Sequence, residues 1–124
     1  MKESKIYGSN PELDKLVDDS DCRSRLTAAN QGYGLDKLVS DTNRQVRIAV
    51  ARQGYGLNIL INDKEWYVRC IVAHQGYGLN ILLKDEEKLV GEVADIILRE
   101  YEESNLPYKE KVKQLKTLGY KLNY

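Results

Sequence analysis

Aliphatic residues recur along this chain in one short pattern. Leu35, Leu38 and Val39 stand at i, i+3 and i+4, and the triplet returns as Leu57, Leu60, Ile61 and as Leu79, Leu82, Leu83. A copy at Leu13, Leu16, Val17 precedes them. That spacing buries one face of a short helical turn, and so few residues suit α and 3₁₀ geometry equally. Behind the triplets come Asp19, Asp41, Asp63 and Asp85, each followed by a second apolar run. In the best-formed copy Val68, Ile71 and Val72 predict a helix over about 64–74, with Asp63 placed to cap its free amides.

The pattern is a repeat. "QGYGL" occurs at 31–35, 53–57 and 75–79, a constant step of 22 residues, and the leucine, aspartate, arginine and "VA" positions keep the same register. About four units fill residues 6–98, the first with "SNPE" in place of "QGYG". Helices this short are marginal alone in water, so each unit has to bury its apolar face on its neighbours. The expected fold is all-α, an α-solenoid of about four two-helix units. Within "QGYG" the first glycine, Gly32, Gly54 or Gly76, follows the last helical residue and fits a left-handed helix cap. The tyrosine after it can then pack back on the helix end, Tyr55 on Val50, Tyr77 on Val72 and Tyr33 on Ala28.

The C-terminal part reads as a capping pair that completes a single domain over residues 1–124. Residues 86–103 predict one longer, acidic helix with Leu89, Val90, Val93 and Ile97 inward. Asn105 and Pro107 then signal a basic helix over about 107–118, whose row Tyr108, Val112, Leu115 and Leu118 is expected to cover the open end of the stack.

Charge and composition narrow the function. Nineteen basic and nineteen acidic residues balance, which argues against a phosphate-driven nucleic-acid binder. No apolar stretch approaches the roughly 18–20 residues that span a bilayer, and the N-terminal residues lack the apolar core of a secretory signal, so a cytoplasmic location is expected. The two cysteines, Cys22 and Cys70, stand about 20 Å apart if adjacent helices stack at the usual 8–10 Å, too far for a disulfide. The one histidine, His74, takes the slot of Asn30 and Arg52 in other units and is read as solvated. No metal set, cofactor motif or catalytic constellation emerges, and the chain is read as a non-enzyme.

At this point the residues resemble a known group. The pattern "LxxLxxDxxxxVRxxVAxxxGYG" is similar to the leucine-rich variant repeats of bacteria, within the wider HEAT-like class. The resemblance implies a right-handed superhelix. It also implies that the Asn10-Pro11 pair forms a loop, and that Asp19, Asp41 and Asp63 with Arg25, Arg47 and Arg69 form a structural ladder within and between units. In the fourth copy Gly91 and Glu92 replace the arginine and its apolar neighbour, which would end the aspartate–arginine contact there. Some relatives carry an iron–sulfur cluster in a separate cysteine-rich segment, and this chain has no such segment to receive it.

On the longer helices Trp66 and Cys70 project nearly opposite to Val68 and Val72, with Ile48 and Arg44 in the same rows of the preceding unit. These four, Trp66, Ile48, Cys70 and Arg44, form the expected partner surface. Ile59 and Ile81 point outward on the short helices, where earlier units carry Lys15 and Lys37. The reading that follows is a protein-interaction module for a protein partner, with no nucleic acid and no membrane; a homo-oligomer is compatible with the same surface. The alternative is an enzyme or nucleic-acid-acting protein of HEAT-like type, such as the alkyl-base glycosylases or the bilin lyases.

Overall fold

The structure is a computed structural model that describes residues 5–103 and 117–118. Its elements are helices in chain order: α1 (Pro11–Asp18), α2 (Cys22–Asn30), α3 (Leu35–Leu38), α4 (Arg44–Arg52), α5 (Leu57–Leu60), α6 (Trp66–His74), α7 (Leu79–Leu82) and α8 (Lys88–Glu102). Among the described residues there is no strand, only an isolated parallel bridge between Lys5 and Tyr33. The helices α2, α4, α6 and α8 start 22 residues apart and pack in sequence, α2 on α4, α4 on α6 and α6 on α8. The short helices α3, α5 and α7 pack against the longer helices on either side of them. The units are not uniform. Helix α1 has eight residues where α3, α5 and α7 have four, and α8 runs to fifteen.

The core is the repeated aliphatic set. Leu35, Leu38, Leu60, Leu82, Val46, Val50, Val68, Val72 and Val90 are fully enclosed. The short helices are single α turns, in which Leu60 N–H donates to the Gly56 carbonyl four residues back, with three-residue bonds at entry and exit. Asn10 opens α1 by accepting the Glu12 and Leu13 amides, with Pro11 at the start of the helix. Asn10-Pro11 therefore starts a helix, where a loop was expected.

Each "QGYG" closes one helix and opens the next. Gly32, Gly54 and Gly76 have φ of 71°, 74° and 76°. Gly54 N–H donates to the Ala51 carbonyl and Tyr55 N–H to that of Val50, the paired bonds of a Schellman cap, and the other two copies repeat them. The second glycine carries the heavier constraint. Gly56 caps α5 at φ 64°, and a β-carbon there would stand 2.6 Å from Val39 Cγ2 of the preceding unit. Here two units approach too closely for any side chain.

Two expectations are corrected and a third lies beyond the described residues. Asp63 is not the N-cap of α6: it accepts the Glu65 amide at 2.9 Å, and Glu65 stands at the cap without a side-chain bond. In α8, Leu89 is exposed, and the buried stripe is Val90 and Ala94 with Val93, Ile97, Leu98 and Tyr101 packed beside them. The helix expected over 107–118 lies outside the described residues apart from 117–118, where Leu118 is exposed.

Candidate functional site

The arginine row settles into a buried seam. Arg47 donates through Nε and Nη2 to the two carboxylate oxygens of Asp63, at 2.8 and 3.2 Å, and through Nη1 to the Asp41 carbonyl at 2.8 Å. Arg25 reaches Asp41 and Arg69 reaches Asp85 in the same two-pronged way. Each guanidinium thus binds the backbone of its own unit and the carboxylate of the next, sixteen residues on. The Asp85 pair survives because its arginine comes from the preceding unit, so Gly91 removes no partner from it. Burial pushes the Asp85 carboxyl upward, but the Arg69 hydrogen bond, the Glu87 amide and the Arg69 charge together hold it below its ordinary value. Arg69 is raised by its hydrogen bond to Asp85. Asp19, at the head of the row, accepts the Asp21 amide at 2.8 Å, and Arg25 contacts its carbonyl rather than its carboxylate. With every prong of Arg47 and Arg69 engaged and both residues buried, the seam holds units together and offers no anion site.

The expected partner surface divides. Ile48 is 3% exposed and Cys70 5%, so both belong to the core. Helices α4 and α6 are flanked by long helices on both sides and backed by short ones, and each is buried over six successive residues, Val46–Ala51 and Val68–Ala73. Six successive buried residues leave no face of either helix open along this stretch, the one opposite Val68 and Val72 included. Burial also pushes the Cys70 thiol up, and both cysteines are free. Exposure returns at the helix starts: Trp66 is 39% exposed and Tyr67 45%.

Those two rings meet edge to face, with centroids 5.6 Å apart. They form one wall of a groove between α4 and α6, completed by Arg44, Gln45 and Arg52 with Ile48 and Glu65. Arg44 approaches Glu65 at 3.8 Å, and both side chains keep much of their surface in solvent. Tyr67 was not singled out in the sequence. Its signal was there, since it follows Trp66 in a slot held by Arg23 and Gln45 in earlier units.

The tyrosines of "QGYG" grade along the stack. Tyr33 is 1% exposed, Tyr55 is half-buried and Tyr77 is 38% exposed. Residues 5–10 lie over Tyr33, whose hydroxyl accepts the Gly8 and Asn10 amides at 3.1 and 3.2 Å and also contacts Asp14. Nearby, Tyr7 bonds Asp18, which pushes its pKa up to about 12, with burial and the charges of Asp18 and Asp14 adding to the rise. His74 is exposed, and Ile59 and Ile81 face outward.

Among the described residues no group of three or more His, Cys, Asp and Glu side chains could hold a metal ion, and no helix is long and apolar enough to cross a membrane. No protein-family model, curated protein or solved structure matches the chain.

Proposed function

We propose that the chain is a non-enzymatic protein-interaction module, a right-handed solenoid of the leucine-rich variant type whose partner surface is anchored by Trp66. The constant 22-residue step of α2, α4, α6 and α8 supports the solenoid part of the reading. One observation carries the function. Most buried positions keep their chemistry from unit to unit, whereas four exposed positions in the α5–α7 region are large and apolar where earlier units are charged or polar. Lys15 and Lys37 give way to Ile59 and Ile81, and Arg44 and Gln45 give way to Trp66 and Tyr67. Folding gains little from apolar groups left in water, and clustered exposed aromatics are the usual anchors of a protein interface.

Affinity purification from the native organism, with the wild-type chain and Trp66→Ala side by side, tests the reading. The variant keeps a melting temperature close to wild type and loses its specific partner at least tenfold. A large loss of stability with undiminished capture makes Trp66 a packing residue and overturns the assignment. Capture of a second copy of this chain would make the surface a self-association site.

A further inference from the structure

Two kinds of arginine coexist in α4, and they are used differently. Arg47 is buried and engaged on all sides, whereas Arg44 and Arg52 lie exposed at the two ends of the helix. Among the described residues Arg44 has only the long 3.8 Å contact to Glu65. The Arg52 side chain has no hydrogen-bond or ion-pair partner among the described residues, although it borders two depressions. One is the groove walled by Trp66 and Tyr67; the other runs past Gly54 and Gly76 to Tyr77. Arg52 therefore stands between three partly exposed aromatic rings, over an apolar floor that includes Ile48 on one side and Leu57 on the other.

From this arrangement we propose that the α4–α6 groove binds an acidic peptide segment, an extended stretch of a partner that carries glutamate or aspartate beside an apolar or aromatic anchor. The proposal rests on the interaction-module reading and adds the partner's chemistry. Charge complementarity selects the occupant. Two guanidinium groups against one carboxylate leave the groove net positive, and the planar donor fork of arginine matches a carboxylate. The rings and Ile48 supply a place for an apolar side chain between the charges. A nucleic-acid strand fits less well, because its phosphates would run past Glu65 on a chain of zero net charge.

Trp66 is the only tryptophan, so its fluorescence reports on this groove directly. The full chain is titrated with a short synthetic peptide of glutamates around a leucine and a phenylalanine, with the same peptide bearing lysines for glutamates, and with a single-stranded oligothymidine. The acidic peptide shifts Trp66 emission saturably and binds at least tenfold tighter than the lysine peptide, with an affinity that falls as salt rises. The double variant Arg44→Glu with Arg52→Glu reverses that preference, and Arg52→Gln alone weakens the acidic peptide if the double variant does not fold. Equal binding of the two peptides, tighter binding of the oligonucleotide, or no saturable change with any probe overturns the proposal. If the acidic peptide fails while native capture still depends on Trp66, only the partner chemistry is wrong; if capture also ignores Trp66, the interaction surface itself falls.

Discussion

Tyr33 and Tyr77 sit in the same five residues, close the same kind of helix, and end in opposite surroundings. Tyr33 is enclosed by residues 5–10 and bonded to two backbone amides, whereas Tyr77 borders an open depression. Their backbones do the same work, each amide donating to the helix carbonyl five residues back. The difference shows that the repeated pentapeptide specifies the turn, while the fate of its side chain depends on what the rest of the chain lays over it. The same division separates the two halves of the stack. The buried seam repeats from Arg25 to Asp85, whereas exposed slots such as those of Ile59 and Trp66 change residue type from one unit to the next.

The sharpest way to break that constancy is to remove a carboxylate from the seam. Asp63→Ala leaves Arg47 buried without its partner and costs about 3–5 kcal/mol in urea unfolding. Asp19→Ala, at the head of the row and with no arginine on its carboxylate among the described residues, costs under about 1 kcal/mol. Equal losses at the two sites would show that the aspartates act as turn formers and the arginine contact is incidental.

Next in size is the pair of glycines within one "QGYG". Gly56→Ala combines a left-handed backbone with a clash against Val39 and is expected to cost about 2–4 kcal/mol. Gly54→Ala meets only Gln75 Oε1 at 3.7 Å and should cost on the order of 1 kcal/mol. A reversed order would place the tight junction between units at the helix cap instead.

The tyrosine comparison itself is tested by Tyr33→Phe, which strands the Asn10 amide, while the Gly8 amide keeps its bond to Asp14, and lowers stability by about 1–2 kcal/mol, against Tyr77→Phe, which leaves it nearly unchanged. Matching losses would mean that the covering segment contributes nothing to the difference.

The smallest effect is in acid. The Asp85 carboxyl is held below its ordinary value in the folded chain, so the unfolded chain binds its proton first as pH falls. Its contribution is full above the unfolded value of 3.8 and is lost as pH falls through the lower folded value. Unfolding midpoints measured from roughly pH 5 downward should therefore decline less steeply in Asp85→Asn than in wild type. Parallel declines would remove Asp85 from the acid response.

Much of this was legible in the residues because it is local. A glycine after an apolar helix, followed by tyrosine and a second glycine, sets its own geometry within five positions, and Gly32, Gly54 and Gly76 adopt it. The aliphatic triplets likewise name most of the core, since i, i+3 and i+4 leave little choice of face, although Leu83 of the last triplet is 39% exposed. What the residues did not reveal depends on neighbours. The burial of Ile48 and Cys70 requires knowing that long helices flank α4 and α6 on both sides. Arg47 has one aspartate six residues behind it and another sixteen ahead, and only the stacking geometry sends its fork forward to Asp63. The groove was half visible: Trp66 and Arg44 were named, whereas Arg52 and Tyr67 gained meaning only when α4 and α6 lay side by side.

That forward reach gives the molecule a direction in time. A chain leaves the ribosome N-terminus first. When α4 has emerged, Arg47 can already hold the Asp41 carbonyl, but the carboxylate that neutralises it has not yet been made. Until Asp63 appears, α4 carries a charge that is costly to bury, so its docking on α2 waits for the following unit. Arg69 repeats the delay toward Asp85, and Gly91 ends it, since no arginine at that position calls for a carboxylate further on. A nascent chain arrested between an arginine and its aspartate should therefore be open to protease in its last unit and closed in those before it.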